Sequence, residues 1–163
     1  MDGPLETERA AVEIVVLIGL PGAGKSYFYR QRFAETHVHV SKDLAPPGRT
    51  AERWQRDTID RALAEGRSVV VDNTHPTVKD RAAIIAPARA RGARVIGYFF
   101  DVTTRQAVAR NNERTGKAKV PAVAIFVTAK KMERPRREEG FDELYVVTLT
   151  PDRAFAVRAS EGE

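Results

Sequence analysis

The chain has no cysteine, only three histidines and no long apolar run. The absence of cysteine excludes a disulfide framework, a thiolate zinc site, an iron–sulfur cluster and catalysis by a cysteine nucleophile. Three histidines are too few to favour a histidine metal site. No apolar stretch approaches the roughly 18 residues of a membrane span, and acidic residues stand near the start, where a secretory signal would be basic. We therefore expect an intracellular protein, cytoplasmic by default, with no membrane partner.

What the chain does have is the size and composition of one folded domain. Its 163 residues are 42% hydrophobic and 30% charged, which is typical of a globular protein with a single core. We predict one domain over residues 1–163, with polar ends at 1–11 and 151–163. No feature indicates an oligomer, so a monomer is the default expectation.

Positive charge is concentrated in one part of the chain. The net charge of the whole sequence is +5. The segment from Arg105 to Arg137 alone holds ten basic and two acidic residues, a larger surplus than that of the entire chain. A solvated helix face is one explanation of such a run; the basic charge also permits an anionic partner without requiring one.

Strand-like and helix-like segments alternate along the sequence. Apolar, β-branched runs predict strands at 12–18, 38–40, 68–72, 94–100 and 144–149. Amphipathic segments predict helices at 24–35, 50–65, 77–91, 103–114 and 121–132, and Pro87 is expected to kink the third helix or end it early. Such alternation is typical of βαβ units. We predict a three-layer α/β fold with about five mostly parallel strands, helices on both faces and a helical lid.

The segment GLPGAGKS, residues 19–26, fits the phosphate-binding pattern G-x-x-x-x-G-K-[ST] at every position. A predicted strand leads into it and a predicted helix leaves it. Its glycines let backbone N–H groups converge on a phosphate, while Lys25 would neutralise the β and γ phosphates and Ser26 would ligate Mg²⁺. We predict ATP and Mg²⁺ as the cofactors of a P-loop fold. The predicted nucleotide-binding residues are Gly19, Leu20, Pro21, Gly22, Ala23, Gly24, Lys25, Ser26, Tyr27, Arg110 and Arg114.

Two carboxylates follow predicted strands. Asp43 comes after the second strand, at the sheet edge where open α/β sheets bind ligands, and is a candidate general base for a hydroxyl acceptor. Asp72 ends the third strand, where an acidic residue holds Mg²⁺ or orients the substrate, although it would also suit a helix cap. His75 is on the same edge and is interpreted as a turn residue rather than a catalyst.

The basic segment around Arg110 and Arg114 is the candidate lid. Phosphoryl transfer spreads negative charge over the equatorial oxygens, which a planar guanidinium stabilises well. Arg114 precedes Gly116 and is the stronger candidate for phosphate contact; Arg110 is one helical turn earlier. The Asn-Lys-x-Asp motif of GTPases is absent. A small phosphotransferase with a basic lid fits better than a GTPase or a large mechanochemical ATPase.

These motifs, taken in order, resemble the kinase domain of the polynucleotide kinases and their AAA-type P-loop relatives. The resemblance covers roughly residues 12–150. The similar stretches are GLPGAGKS (19–26), HVHVSKD (37–43), WQR (54–56), VVVDNTHP (69–76), ARNNERTGKAKVP (109–121) and ERPRREEGF (133–141). Members of this family transfer the γ-phosphate of ATP to the 5′-hydroxyl end of DNA or RNA.

The resemblance implies a role for each matched residue. Lys25 and Ser26 become the phosphate and Mg²⁺ ligands, Asp43 the general base, Arg114 the lid arginine, and Asp72 a carboxylate on the substrate or metal side. Lys25, Asp43 and Arg114 are therefore the expected catalytic residues, and Ser26 and Asp72 the expected metal ligands.

Two departures from the family pattern concern the acceptor. The family often has Asn-Arg-Asp where this chain has Ser-Lys-Asp at 41–43, and lysine lacks the bidentate fork of arginine. The phage member has a further arginine three residues after the base, where this chain has Pro46; Arg49 and Arg53 are nearby candidates to replace it.

The leading hypothesis is an ATP-dependent polynucleotide 5′-hydroxyl kinase. Two alternatives stay open: a kinase of the same fold acting on a small-molecule hydroxyl, which the acceptor-side departures favour, and a nucleotide-binding regulatory module without transfer activity. An intact Asp43 argues against the second alternative.

Overall fold

The computed structural model describes residues 12–160, apart from the side chain of Lys117. The predicted polar segment 1–11 and the last three residues lie outside this range. In the described part the strands are β1 (Glu13–Ile18), β2 (Val38–Val40), β3 (Val69–Asp72), β4 (Arg94–Phe100), β5 (Glu143–Leu149) and β6 (Phe155–Ala159). The α-helices are α1 (Lys25–Arg32), α2 (Ala51–Ala64), α3 (Val78–Ala90), α4 (Thr104–Asn112) and α5 (Ala122–Lys131).

The strands form one sheet in the order β2-β3-β1-β4-β5-β6. The first five strands are parallel and β6 pairs antiparallel with β5. The prediction of an α/β fold with parallel strands is confirmed, and the predicted strand count is one too low. The missing strand, β6, lies in the segment predicted to be a polar end. Only Phe155 and Val157 are half-buried there, so the strand carries little apolar signal.

Alternate residues of β1 build two cores, one on each face of the sheet. Ile14 and Val16 face the core that includes Ile59 of α2 and Ile85 of α3. Val15 and Leu17 face the opposite core, which includes Phe28 of α1, Ala107 of α4 and Ile125 of α5. Helices therefore cover both faces, as predicted. Residues of β1 are at most 1% exposed from Ile14 to Ile18, which explains the continuous apolar run.

Pro87 does not end α3 at its own position, contrary to one of the two outcomes expected for it. The helix continues to Ala90, and the backbone N–H of Arg91 still donates to the carbonyl of Pro87 at 3.2 Å. Pro87 lies in the last turn on the exposed side. At this position proline costs one backbone hydrogen bond, and few residues remain to be helical after it.

A buried arginine joins α3 to the segment that carries the ERPRREEGF resemblance. Arg81 is fully buried. Its Nε and Nη2 atoms donate to the two carboxylate oxygens of Glu139 at 2.7 and 3.1 Å. It also donates to the carbonyls of His75, at 2.8 Å, and Glu133, at 2.9 Å. This stretch therefore anchors the end of β3 and the start of β5 to α3.

No helix among the described residues is long and apolar enough to cross a membrane.

Candidate active site

The phosphate-loop segment runs from β1 into α1 at the carboxyl end of the sheet. Gly22 and Gly24 have φ values of +85° and +96°, a region that glycine enters without strain. A Cβ atom on Gly22 would lie 2.5 Å from the carbonyl oxygen of Ala107 in α4. The loop thus needs glycine at this position for both its conformation and its close packing against α4.

Lys25 begins α1 and is buried at the loop. Its Nζ donates to the carbonyls of Gly19, at 3.0 Å, and Leu20, at 2.8 Å. Burial lowers the pKa of Lys25 to about 8, although the nearby Asp72 carboxylate opposes the shift. The ammonium is therefore held against the loop that would receive a phosphate.

Ser26 and Asp72 are in direct contact. The Ser26 hydroxyl donates to Asp72 Oδ2 at 2.7 Å, and the ring Nε2 of His39 lies 2.8 Å from the same oxygen. Burial alone would raise the pKa of Asp72, but the hydrogen bonds from His39 and Ser26 hold it below its ordinary value. The carboxyl group is consequently ionised near neutral pH.

The Ser26 hydroxyl and the Asp72 carboxylate are suitable ligands for Mg²⁺. A hydroxyl and a carboxylate are hard ligands, and Mg²⁺ in nucleotide sites takes one or two protein ligands besides phosphate oxygens and water. Among residues 12–160 there is no group of three or more His, Cys, Asp or Glu side chains that could hold a metal without such help. Ser26 and Asp72 are therefore the described residues suited to hold Mg²⁺ together with a nucleotide.

Asp43 lies on the short 3₁₀ turn Lys42–Leu44 that follows β2, and its side chain is exposed. Side chains from two other elements fix this turn. Asn73 Oδ1 accepts the backbone N–H of Lys42 at 2.9 Å, while Asn73 Nδ2 donates to Oε1 of Gln55 in α2 at 2.6 Å. Asn73 and Gln55 belong to the stretches VVVDNTHP and WQR, which the sequence singled out without indicating this role.

Arg110 and Arg114, the two candidate lid arginines, both contact backbone carbonyls. Arg110 Nε donates to the carbonyl of Gly22 at 3.1 Å, which ties α4 to the phosphate-loop segment. Arg114 donates to the carbonyl of Ala118 at 3.2 Å. Burial, with Arg110 close by, lowers the pKa of Arg114 from its ordinary value. The helix α4 and the turn after it thus lie beside the loop.

His75 lies in the bend after β3 and is 5% exposed. It has a positive φ of 46°, and its Nδ1 lies 2.7 Å from the carbonyl oxygen of Leu17. Burial lowers the pKa of His75 to about 4. Within the described part of the chain its Nε2 has no hydrogen-bond partner. A neutral, buried imidazole of this kind supports the backbone beside the loop and is poorly placed to act as a base.

One cleft of about 1260 Å³ brings the predicted site together. The residues from the prediction that line it are Pro21, Gly22, Lys25, Ser26, Tyr27, Asp43, Asp72, Arg110 and Arg114. The remaining loop residues, Gly19, Leu20, Ala23 and Gly24, are buried behind this surface. The cleft continues along α2 and α3, where Arg56, Ile59, Lys79, Ile84 and Pro87 line it.

The unpredicted strand β6 supports the loop from behind. The Phe155 ring packs edge-on against Phe28 of α1, with the ring centroids 5.4 Å apart. It also lies beside Gly24, where a Cβ atom would come within 3.0 Å of the ring. A residue from the predicted polar end therefore helps to shape the phosphate-loop segment.

Comparison with known proteins identifies the family of this chain. The sequence pattern of a family described as an AAA domain matches residues 14–138, most of the chain. The chain belongs to this AAA-domain family. The matched part of the AAA domain includes the phosphate-loop segment, Asp43, Asp72 and the candidate lid arginines.

Two curated relatives of this AAA domain carry the name bifunctional polynucleotide phosphatase/kinase. The protein from Acanthamoeba polyphaga mimivirus is 31% identical over 150 residues, covering 88% of this chain and 35% of the relative. The protein from Schizosaccharomyces pombe is 27% identical over 135 residues, covering 79% and 32%. The chain thus spans about a third of the length of the curated relatives it matches. The family resemblance seen in the motifs is confirmed.

Solved structures share the fold of this AAA domain. A gluconokinase from Sinorhizobium meliloti 1021 superposes with a TM-score of 0.61 at 21% identity, covering 83% of this chain and 82% of that one. A fungal RNA kinase superposes with a TM-score of 0.62 at 16% identity, covering 86% and 38%. At these identities the likeness shows a common P-loop kinase fold.

Proposed function

We propose that the protein is an ATP-dependent kinase that transfers the γ-phosphate of ATP to the 5′-hydroxyl end of DNA or RNA. The observation that carries this proposal is that Lys25, Ser26 and Asp43 line one cleft. A phosphate site and a carboxylate on a braced turn are the two components that in-line transfer to a hydroxyl needs.

In this proposal the Asp43 carboxylate accepts the proton of the acceptor hydroxyl. The hydroxyl oxygen forms a bond to the γ-phosphorus while the bond from that phosphorus to the β,γ-bridging oxygen breaks, and ADP leaves. Lys25 and Arg114 neutralise charge on the transferring group. Ser26 and Asp72 would hold Mg²⁺, which when bound offsets charge on the phosphate oxygens.

The acceptor side of the cleft favours an anionic substrate. Arg56 of α2 and Lys79 of α3 line it and are exposed. Neither side chain has a hydrogen bond or ion pair to another residue within 12–160. The acidic side chains near them are already engaged: Asp60 pairs with Arg91 at 3.5 Å, and Asp80 caps its own helix. Two uncommitted cations are well suited to the phosphates of a nucleic acid strand.

The residues suggested by sequence as replacements for the missing acceptor arginine are less suitable. Arg49 pairs with Asp57 at 2.7 Å, away from the cleft lining, and Arg53 is absent from that lining too. Lys42 lines the cleft, but its Nζ lies 3.4 Å from Glu52. Arg56 and Lys79 are therefore the better assignment for contact with an acceptor phosphate.

The names of the curated relatives support a polynucleotide acceptor, since both describe polynucleotide phosphatase/kinases. A second candidate function is transfer to a small-molecule hydroxyl. It is favoured by the fold shared with a gluconokinase. It is also favoured by Lys42, which stands where the polynucleotide kinases often have arginine, and by Pro46, which stands where the phage member has arginine.

End-labelling tests the proposal directly. The protein is incubated with Mg²⁺ and γ-labelled ATP, together with DNA or RNA oligonucleotides that carry 5′-hydroxyl or 5′-phosphate ends. We expect label on hydroxyl ends only. Label on gluconate or another sugar, with none on oligonucleotides, would replace the polynucleotide assignment with the small-molecule one. Nucleotide binding without transfer to any acceptor would favour a regulatory module.

A variant on the acceptor side of the cleft tests the assignment of the two cations, Arg56 and Lys79. Lys79→Ala is expected to raise the KM for a 5′-hydroxyl oligonucleotide and to lower the salt dependence of binding by about one unit of log–log slope. The KM for ATP should not change. Arg61→Ala, an exposed α2 position outside the cleft lining, is the matched control. An equal effect of both variants would contradict the assignment.

A further inference from the structure

His39, a residue that no motif assigned, reaches into the candidate site from β2. Its Nε2 lies 2.8 Å from Asp72 Oδ2. Because an ionised carboxylate only accepts hydrogen bonds, Nε2 must carry the proton. The imidazole also stacks on the ring of Tyr29, with the centroids 4.1 Å apart and the planes inclined by 16°. The hydrogen bond and the stacking together fix the orientation of the imidazole.

Tyr29 is itself anchored to the strand segment that carries His39. Its hydroxyl donates to the carbonyl of His37 at 2.7 Å. Tyr29 lies on α1, one turn after Lys25 and Ser26, and is 7% exposed. The stack therefore couples the helix that follows the phosphate loop to the strand beside β3.

Two donors from different elements converge on one oxygen of Asp72. Ser26 of α1 donates to Oδ2 at 2.7 Å, and His39 of β2 donates to the same atom. No hydrogen bond to Oδ1 comes from the described residues. The carboxylate is thus held through one oxygen, while the other has no protein donor.

We propose that His39 is a positioning residue that holds the Asp72 carboxylate in the orientation that strengthens Mg²⁺-dependent nucleotide binding. This inference rests on the proposed function, because it assumes a nucleotide with Mg²⁺ in the cleft. Partners that orient a metal-side carboxylate commonly contribute 10–100-fold, in order of magnitude, to metal affinity. Without the His39 donor, the Ser26 hydroxyl alone restrains Asp72, and the carboxylate turns more freely.

Three variants separate the hydrogen bond from the stacking. His39→Phe keeps a flat ring for Tyr29 and removes the donor, and His39→Leu is a second donor-free variant should the first not fold. His39→Gln restores an N–H donor on a side chain of similar reach. His37→Phe is the matched control, since His37 lies 3.1 Å from Glu13 and makes no hydrogen bond to Asp72.

The readout is the dissociation constant of a fluorescent, non-hydrolysable ATP analogue, measured with saturating Mg²⁺ and with EDTA. We expect His39→Phe to reduce the gain in affinity from Mg²⁺ by about tenfold while affinity in EDTA stays unchanged. His39→Gln should regain most of the effect, and His37→Phe should match the wild type. A general loss of structure would lower both affinities together.

The possible outcomes distinguish a failure of the role given to His39 from a failure of the proposed kinase function. An unchanged Mg²⁺ gain in the donor-free variants, or an equal loss in His39→Gln, overturns the inference and leaves the proposed function standing. A wild-type protein that binds the analogue with no gain from Mg²⁺ also overturns it. A wild-type protein that does not bind the analogue at all refutes the proposed nucleotide site, and the inference falls with it.

Discussion

Replacing Glu139 by glutamine is expected to destabilise the protein severely, although the change keeps the side-chain size and lies outside the cleft lining. The Arg81 guanidinium is fully buried, and Glu139 is 8% exposed in their bidentate pair. Glutamine would remove the compensating charge and turn an amide N–H₂ towards one of the arginine donors. Loss of one partner from a buried ion pair costs about 3–5 kcal/mol of unfolding free energy.

Thermal unfolding followed by circular dichroism measures this loss. At about 2–4 °C per kcal/mol for a protein of this size, the Tm of Glu139→Gln should fall by about 6–20 °C. Asp57→Asn is the control, because it breaks the exposed Arg49–Asp57 pair and should cost at most about 1 kcal/mol. The double change Arg81→Met with Glu139→Leu removes both charges and should be more stable than Glu139→Gln. A Tm for Glu139→Gln equal to that of Asp57→Asn would show that the buried Arg81–Glu139 pair is no more important for stability than an exposed pair.

Two further predictions concern Gly22 and His75. In urea titrations, Gly22→Ala should lower the unfolding free energy by about 1–3 kcal/mol more than Gly48→Ala. Both glycines have φ near +85°, but only at Gly22 would the added Cβ atom collide with a backbone atom. Equal losses in the two variants would contradict this prediction. The pKa of His75 is about 4 in the folded protein and near 6.5 in the unfolded chain. Between these pH values the unfolded state binds more protons, so the free energy of unfolding falls as the pH falls. In urea titrations, the unfolding free energy of the wild type should be about 2 kcal/mol lower at pH 5 than at pH 7, and His75→Asn should not show this decrease. The same decrease in both proteins would contradict the role given to His75.

Short-range sequence patterns predict most of the secondary structure and the phosphate-loop segment of this molecule. The phosphate-loop segment, the five parallel strands and the helices between them follow from apolar runs, from glycines and from one motif of fixed spacing in the sequence. Asp43 and Asp72 lie at one sheet edge because parallel strands expose their carboxyl ends together. Both residues do line the cleft with Lys25.

Contacts between residues that are far apart in the sequence cannot be predicted from local sequence patterns. His39 reaches Asp72 only because β2 and β3 pair in the register that sets His39 beside Val70. Asn73 braces the Asp43 turn through Gln55, which lies in another helix. Strand β6 was missed because its five residues carry only two half-buried apolar side chains, and its pairing with β5 stabilises it. Each of these depends on the tertiary arrangement rather than on local periodicity.

Asp43→Asn shows whether Asp43 acts as the base in phosphoryl transfer at this cleft. Transfer of the γ-phosphate to 5′-hydroxyl oligonucleotides is measured beside the affinity for the ATP analogue. Asparagine keeps the size of the side chain and cannot take the proton, so kcat should fall by about 10²–10⁴-fold with nucleotide affinity unchanged. Transfer at the wild-type rate would show that Asp43 is not the base.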